Sequence, residues 1–152
     1  MNIAVFPGTF DPITLGHTDV VARSLHLFDK IIIGIGVNAN KQAMFPLDKR
    51  IEWIKNIYNH TPKIEVVAYE GLTVNFCRQQ HAHFIIRGIR SVGDFEYEKA
   101  IADMNRVVAP DVETYFLACS PQYSSYSSSI VRDLIRNGAD ASTFLPPEVK
   151  LS

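Results

Sequence analysis

The chain has 152 residues, a length typical of one domain that can bury a substantial core. Its hydrophobic fraction of 47% and charged fraction of 20% are ordinary for a globular protein. With 15 basic and 16 acidic side chains the formal net charge is -1, so the composition gives no support for a nucleic-acid-binding protein. Any anion site in this chain must therefore be a local concentration of cations.

The sequence gives no indication of membrane insertion or export. No apolar run approaches the length of a transmembrane helix, and the N-terminus enters an apolar strand without a signal-peptide pattern. Cys77 and Cys119 lack metal-ligand spacing, and two reduced thiols are expected rather than a disulfide. We therefore expect a cytoplasmic protein with neither a membrane nor a nucleic acid as partner.

Short apolar runs alternate with helix-period segments along the whole chain. The predicted strands are Ile3–Phe6, Lys30–Val37, Ile64–Ala68, Phe84–Arg87 and Thr114–Leu117. The predicted helices are His17–Phe28, Leu47–Tyr58, Thr73–Gln80, Phe95–Val108 and Ser128–Asn137. Runs such as Ile31-Ile32-Ile33 lack polar alternation, as expected of strands covered on both faces. Such alternation implies right-handed crossovers, and it predicts one α/β domain over residues 1–152: a three-layer, Rossmann-like, doubly wound parallel sheet.

The connection between the first strand and the first helix is the most informative segment. It reads Phe-Pro-Gly-Thr-Phe-Asp-Pro-Ile-Thr-Leu-Gly-His from Phe6 to His17. Gly8 lets the backbone approach a ligand closely, and a helix N-terminus offers unpaired N–H groups and a positive dipole end. Thr9 adds a hydroxyl and His17 an imidazole, which together suggest a phosphate site. The alternative is an ordinary turn in which Thr14 is only a helix cap.

The second strand and the loop after it contain a glycine motif that we reject as a nucleotide-binding fingerprint, and one candidate cation. Gly34-Ile-Gly36-Val-Asn-Ala39 resembles a dinucleotide-binding fingerprint, but its glycines lie inside a strand, so we reject it; there is no P-loop motif either. The polar segment Asn38–Pro46 is predicted to be a mobile loop over the ligand face. Its Lys41 either reaches an anionic ligand or is simply solvated.

Two further segments carry phosphate-binding chemistry. Arg87-Gly88-Ile89-Arg90 places two guanidinium groups at the carboxyl end of the fourth strand, which suits bidentate phosphate contacts. Alternatively, one of these arginines pairs with Asp94 or Glu96. Ser127-Ser128-Ser129 gathers hydroxyls at the start of the last helix, where one serine is explained as an N-cap and three suggest more.

The common doubly wound strand order would bring these segments together. Strands one and four are then neighbours at the switch point, and the cations His17, Arg87 and Arg90 converge on one pocket with Lys41 above it. No nucleophile or carboxylate pair is evident there. The site suits positioning of two phosphate-bearing substrates, as in phosphoryl or nucleotidyl transfer, where an anionic attacker needs no general base.

These motifs resemble, in order and along nearly the whole chain, those of the phosphopantetheine adenylyltransferase family. The T/H-x-G-H element alone is shared by the wider nucleotidyltransferase superfamily, whereas Arg-Gly-x-Arg followed by Asp-Phe-Glu-Tyr-Glu narrows the resemblance to this family. The matching segments are Pro7-Gly8-Thr9-Phe10-Asp11-Pro12, Thr14-x-Gly16-His17, Arg87-Gly88-Ile89-Arg90, Asp94-Phe95-Glu96-Tyr97-Glu98, Met104-Asn105-Arg106 and Ser127-Ser128-Ser129.

The resemblance implies transfer of the adenylyl group of ATP to 4′-phosphopantetheine, with Mg²⁺ as cofactor, by direct in-line attack without a covalent intermediate. It implies His17, Lys41, Arg87 and Arg90 as catalytic residues, and Thr9, Lys41, Thr73, Arg87 and Asn105 as acceptor-binding residues. It implies ATP contacts from Thr9, Phe10, His17, Gly88, Ile89, Arg90, Glu98, Tyr123, Ser124, Ser125, Tyr126, Ser127, Ser128 and Ser129. Inhibition by coenzyme A and a homohexameric assembly are also implied. Another adenylyl- or cytidylyltransferase, such as one acting on nicotinamide mononucleotide, and a nucleotide-binding module without turnover are the alternatives.

Overall fold

Five parallel strands form one sheet in the order β3-β2-β1-β4-β5. The computed structural model describes residues 1–151. The strands are β1 (Ile3–Gly8), β2 (Lys30–Gly36), β3 (Ile64–Tyr69), β4 (Phe84–Ile89) and β5 (Glu113–Ala118). The helices are α1 (Leu15–Ser24), α2 (Leu47–Ile57), α3 (Thr73–Gln79), α4 (Val92–Val108) and α5 (Ser128–Arg136), with short 3-10 turns at Pro121–Tyr123 and Ser142–Phe144.

The sheet is covered on both faces, and the side chains of β2 show why. Ile31, Ile33 and Ile35 pack in a large cluster with α1, α2 and α5, whereas Ile32 packs in a second cluster with α3. Each of these isoleucines is fully buried, and burial of such a side chain contributes about 1.5–3 kcal/mol. The three-layer, doubly wound prediction is confirmed, because apolar residues at successive positions require cover on both faces.

The switch point lies between β1 and β4, as the strand-order argument predicted. The chain winds from β1 outward to β3, and then α3 returns it to the other side of β1. β1 pairs with β2 as far as Gly8, but with β4 only through Ala4 and Val5. Beyond Val5 the two central strands therefore separate, and a crevice opens at their carboxyl ends.

Helix boundaries differ from the predicted ones where caps decide them. α1 begins at Leu15 rather than His17, because Thr14 is its N-cap residue. α4 begins at Val92, three residues earlier than predicted, because the Ser91 hydroxyl accepts the Asp94 N–H. The remaining bounds differ by a few residues at element ends, including α1, which stops at Ser24.

The two cysteines are unpaired, and they lie on opposite faces of the sheet. Cys77 is buried in the cluster under α3, while Cys119 packs against the cluster under α1. The predicted reduced thiols are therefore what the fold allows. None of the helices within residues 1–151 combines the length and apolar character needed to span a bilayer.

Candidate active site

A cavity of about 450 Å³ occupies the crevice between β1 and β4; we call it the central cavity. It lies against α1 and the start of α5. Of the predicted site residues, it brings together Thr9, Phe10, His17, Arg87, Gly88, Arg90, Glu98, Tyr123, Tyr126, Ser127, Ser128 and Ser129. Segments more than a hundred residues apart in sequence thus converge on one pocket.

A second cavity of about 390 Å³ opens at the same edge of the sheet, on the face that α4 covers; we call it the α4 cavity. Its apolar lining comes from Ile85 of β4 and from Ile101 and Ala102 of α4. All five predicted acceptor-binding residues line it, namely Thr9, Lys41, Thr73, Arg87 and Asn105. The end of β1 and the side chain of Arg87 line both cavities, so they form the boundary at which the two cavities meet.

The imidazole of His17 is oriented by the helix cap. The Thr14 N–H donates to His17 Nδ1 across 2.9 Å. A backbone N–H can only donate, so Nδ1 is the acceptor and the ring proton of the neutral imidazole is on Nε2. Burial, followed by the charges of Arg87 and Arg90, lowers the pKa of His17 from 6.5 to about 3. The prediction of a cationic His17 is therefore wrong: the residue is a neutral Nε2–H donor.

Phe10 supports this imidazole from a strained backbone position. Its φ of 49° is in the left-handed region, which costs an L-residue about 1–2 kcal/mol. The buried ring of Phe10 lies edge-on to the ring of His17, with centroids 5.0 Å apart. Ring packing thus restricts the imidazole in addition to the hydrogen bond from the cap.

Arg87 makes a dense set of contacts that the sequence did not predict. Its Nε and Nη2 donate to the carboxylate of Glu98, with Nη2 2.6 Å from Oε1, and its Nη1 donates to the Pro7 carbonyl at 2.6 Å. The alternative that one of the two arginines pairs with Asp94 or Glu96 is confirmed for Arg90, which pairs with Asp94 at 3.1 Å, whereas Arg87 pairs with Glu98. Because the guanidinium has five N–H donors, the contacts leave one N–H on each Nη of Arg87 for ligands.

The start of α5 is fastened to the loop after β1. Thr14 Oγ1 donates to the Tyr126 carbonyl at 2.7 Å, and Ser128 Oγ donates to the Pro12 carbonyl at 2.8 Å. Gly16 permits this approach, since a Cβ there would come within 3.1 Å of the Tyr126 oxygen. The predicted phosphate-binding turn and the predicted serine segment are thus joined by direct hydrogen bonds.

Each hydroxyl of the serine triplet has a partner within the protein. Ser127 is the N-cap of α5 and accepts the Ile130 N–H, while Ser129 accepts from Arg132. Three serines are therefore not three free ligand donors. In the described part of the chain, the N–H groups of Ser128 and Ser129 have no hydrogen bond to the protein, so the helix N-terminus retains donors beside the central cavity.

Three predicted ATP contacts do not line the central cavity: Ile89, Ser124 and Ser125. Ile89 is the last residue of β4, and it does not line the central cavity although Arg87, Gly88 and Arg90 do. Ser124 donates to the Pro121 carbonyl in an exposed turn, and Ser125 is exposed beside it. Only some residues of the segment Tyr123–Ser129 face the central cavity, so the whole segment does not line its wall.

Sequence reasoning also missed Asp11 and Arg132, which line the central cavity, and Arg50, which contacts the loop after β1. Asp11 accepts the N–H groups of Met44 and Phe45, and Arg50 donates to the Thr9 and Phe45 carbonyls. The spacing of residues along the sequence does not predict such long-range contacts. Arg132 could have been found, since it lies one helical turn after Ser128 on the same face of α5.

The arrangement suits transfer between bound anions rather than covalent catalysis. Cys119 lines the central cavity, but burial raises the pKa of its thiol, which disfavours the nucleophilic thiolate. The cavity instead offers two guanidinium groups, an imidazole N–H and a helix N-terminus. Such groups position phosphates and stabilise developing negative charge.

Fold and site together define a nucleotidyltransferase of the cytidylyltransferase-like class, whose family model matches residues 5–134. The chain is 51% identical over 151 residues to phosphopantetheine adenylyltransferase of Flavobacterium psychrophilum, covering 99% of each chain. It is 49% identical to the protein of that name from Bacteroides thetaiotaomicron, covering 100% of each. The chain therefore belongs to the phosphopantetheine adenylyltransferase family.

Solved structures confirm the fold. A bifunctional NMN adenylyltransferase/ADP ribose pyrophosphatase from Francisella tularensis superimposes with a TM-score of 0.73 over 95% of this chain, at 16% identity. The same protein complexed with AMP and a manganese ion gives a TM-score of 0.69. This chain spans 44% of the length of that two-activity protein, so the likeness concerns architecture alone.

Proposed function

We propose that this protein transfers the adenylyl group of ATP to 4′-phosphopantetheine, giving dephospho-coenzyme A and pyrophosphate. The observation that carries the proposal is the position of Arg87, which lines both the central cavity and the α4 cavity. A nucleotide in the first and a phosphorylated acceptor in the second would bring their phosphates together at this residue. Family membership identifies the acceptor.

The transfer is a single displacement at the α-phosphorus of ATP. An oxygen of the acceptor phosphate forms the new P–O bond, and the bond to the oxygen that bridges to the β-phosphorus breaks. That oxygen leaves with the electron pair as part of pyrophosphate. The attacking oxygen is already anionic, so no base is needed, and the carboxylates of Asp11, Asp94 and Glu98 in the lining are engaged in hydrogen bonds or ion pairs within the protein.

His17 and Thr9 act at the reacting phosphates. His17 donates its Nε2–H to an oxygen of the α-phosphate, where negative charge develops, and as a neutral group it needs no change of protonation during the reaction. Thr9 positions the attacking phosphate from the wall that the two cavities share. Arg87, Arg90 and Lys41 neutralise the phosphates.

The α4 cavity accommodates the pantetheine arm. Its apolar wall from Ile101 and Ala102 packs against the aliphatic chain, and Asn105 contributes an amide for the peptide-like groups. The Thr73 hydroxyl is hydrogen-bonded to the Tyr69 hydroxyl at 2.8 Å. Thr73 therefore contacts the pantetheine arm through its backbone. The adenosine of ATP lies in the central cavity between Arg90 and the segment Tyr123–Ser129.

Mg²⁺ fits this site as an ion bound through ATP. In the described residues no group of three or more His, Cys, Asp or Glu side chains is arranged to hold a metal. The carboxylates of the central cavity are engaged with Arg87, Arg90 and backbone N–H groups. Mg²⁺ is commonly bound through substrate phosphates in such cases, and when bound it neutralises phosphate charge.

Self-association and coenzyme A inhibition also belong to the proposal. α4 exposes apolar side chains along its length, among them Val92 at 77%, Tyr97 at 69%, Met104 at 54% and Val107 at 84% exposure. We propose that other copies of the chain cover them in a homohexamer, as a patch of this kind suggests. Coenzyme A combines a pantetheine arm with an adenosine, so it would occupy both cavities and inhibit. The unpaired thiols agree with a cytoplasmic location.

The test is acceptor-dependent release of pyrophosphate. Purified protein with ATP and Mg²⁺ receives 4′-phosphopantetheine, nicotinamide mononucleotide or no acceptor, and pyrophosphate is measured. We expect turnover with phosphopantetheine only, and formation of dephospho-coenzyme A by mass spectrometry. Equal or faster turnover of the mononucleotide would overturn the assignment, and ATP binding without any turnover would favour a binding module.

A further inference from the structure

The connection between β5 and α5, residues 119–127, is hydrogen-bonded to α1 and its cap near both ends. Four residues of this connection line the central cavity: Cys119, Tyr123, Tyr126 and Ser127. Its regular structure is one short 3-10 turn, so contacts with the rest of the fold decide how firmly this wall is held. Near α5 the contact is the bond from Thr14 Oγ1 to the Tyr126 carbonyl. The contact near β5 comes from side chains that the proposed function does not use.

Asp19 of α1 makes this second contact. The Ser120 hydroxyl donates to Asp19 Oδ2 at 2.8 Å, and Arg23 Nη1 donates to the same oxygen at 3.3 Å. Arg23 Nη1 also donates to the Ala118 carbonyl at 2.8 Å. The Asp19 side chain is only 17% exposed, and hydrogen bonds to a carboxylate shielded in this way are the stronger, charge-assisted kind. The helix α1 therefore holds the chain on both sides of Cys119.

Ser120 passes this contact to the cavity wall in two directions. Its neighbour Cys119 lines the central cavity and donates its backbone N–H to the Ile89 carbonyl at 2.8 Å. Ser120 is also the N-cap residue of the 3-10 turn, and its carbonyl accepts the Tyr123 N–H at 2.9 Å. Asp19 itself lines neither the central cavity nor the α4 cavity. Its effect on a ligand must therefore pass through the residues that it holds.

The same helix carries His17, which lines the central cavity. One short helix thus holds both the imidazole and the wall against which the proposed function places adenosine. Resting on that proposed function, we propose that Asp19 is a positioning residue, which acts through Ser120 to fix the adenosine wall relative to His17. Ser120 and Arg23, the partners of Asp19, do not line the α4 cavity, so the acceptor should bind independently of Asp19. Misplacement of a supporting group weakens binding even when every contacting group is present.

The test compares Asp19→Ala, Ser120→Ala and the double variant in the full-length protein. Calorimetry with ATP alone measures affinity without turnover. We expect Asp19→Ala to raise the Kd for ATP about tenfold, an effect that small misplacements in active sites can produce. Ser120→Ala should raise it less, and the double variant should match Asp19→Ala, because Asp19 acts through Ser120. Asp19→Asn keeps an oxygen acceptor for the Ser120 hydroxyl and should restore most of the affinity.

Steady-state kinetics and melting temperature separate positioning from a merely structural role. In Asp19→Ala the KM for ATP should rise in parallel with Kd, while kcat at saturating ATP and KM for phosphopantetheine stay near the wild-type values. Glu52→Ala is the matched control, because Glu52 pairs with Lys49 within α2 and lines neither cavity. A lower melting temperature with an unchanged Kd for ATP would overturn the proposal. Additive losses in the double variant would overturn it as well.

Failure of the proposed function would give a different result. A wild type that binds ATP in an Asp19-dependent way but forms no dephospho-coenzyme A would overturn the transfer and retain the positioning role. Acceptor-dependent turnover with an ATP affinity that does not depend on Asp19 would do the reverse. Ser120→Ala, which removes one hydroxyl outside any long helix, tests the same contact if Asp19→Ala fails to fold.

Discussion

The N–H of Thr14 and Nδ1 of His17 are 2.9 Å apart, and this one hydrogen bond decides the chemistry of the imidazole. With Nδ1 accepting, the proton is on Nε2, the only ring nitrogen left to reach a ligand. The helix cap thus has a second consequence besides closing the first turn of α1. It aims a neutral donor at the central cavity.

Loss of this donor should reduce the rate rather than nucleotide binding. We expect His17→Ala to lower kcat by about a hundredfold or more, because the donor acts on charge that develops in the transition state. ATP affinity measured by calorimetry should change far less. His26→Ala, which alters a histidine outside the central cavity and the α4 cavity, is the control. Retained kcat with lost ATP affinity in the His17 variant would contradict the proposed role of His17.

The lowered pKa of His17 makes stability depend on pH. Burial and the nearby arginines hold its pKa at about 3, so between pH 6.5 and 3 the unfolded chain binds a proton that the folded chain does not. Stability from the neutral imidazole is complete above pH 6.5 and falls as the pH drops, by at most about 1.4 kcal/mol per pH unit. Urea unfolding at pH 7, 6 and 5 should show a smaller loss for His17→Gln than for wild type. Parallel losses would show that His17 titrates normally in the fold.

Arg87 should matter for stability as well as for ligands. Arg87→Met would leave the Glu98 carboxylate, which is only 8% exposed, without its ion-pair partner. We expect a loss of about 3 kcal/mol in the free energy of unfolding. The double variant Arg87→Met/Glu98→Met should regain part of it, since no unpaired charge remains, yet it should stay inactive. Additive losses in the double variant would mean that the pair is not coupled.

Gly16 and Gly93 offer a matched comparison of close approach. Each is the second residue of a helix, but a Cβ on Gly16 would meet the Tyr126 carbonyl at 3.1 Å, whereas one on Gly93 would meet only Ser91 Oγ at 3.8 Å. Gly16→Ala should therefore displace the Tyr123–Ser129 segment and raise KM for ATP by about tenfold, as small misplacements in active sites do. Gly93→Ala should leave KM unchanged. Equal effects of the two would point to helix propensity instead.

Lys41 should contribute through charge to the phosphorylated acceptor. It lines the α4 cavity with Arg87, and a charged hydrogen bond contributes about 1.5–3 kcal/mol. Lys41→Gln is expected to raise KM for phosphopantetheine at least about tenfold. Lys55→Gln, on the outer surface of α2, serves as the control. An unchanged KM would show that Lys41 is merely solvated.

Local patterns were enough to find the residue types of the site. The Phe6–His17 turn, the two arginines after β4 and the serines before α5 each combine a helix or strand end with donors for an anion. Because parallel strands present their carboxyl ends at one edge, the strand order alone predicts that these segments meet. That expectation was confirmed, and so was the three-layer sheet.

Charge states and partners could not be predicted in the same way. The wrong cationic state of His17 and the unexpected Arg87–Glu98 pair depend on burial and on which turn of α4 faces β4. Ile89 and the exposed Ser124 and Ser125 do not line the central cavity, because only some residues of a continuous run lie on the cavity side of a wall.

What the sequence determined by itself is therefore whatever depends on near neighbours: apolar runs that require a covered parallel sheet, caps that begin helices, and motifs that carry donors to strand ends. Only the tertiary structure decided the contacts of Asp11 and Arg50, which reach residues 33 and 41 positions away along the chain. Those contacts hold the loop after β2 and the start of α2 against the segment that follows β1. Their physical reason is desolvation, because a buried charge takes whichever polar groups the packed fold brings within reach, and no spacing in the sequence encodes that choice.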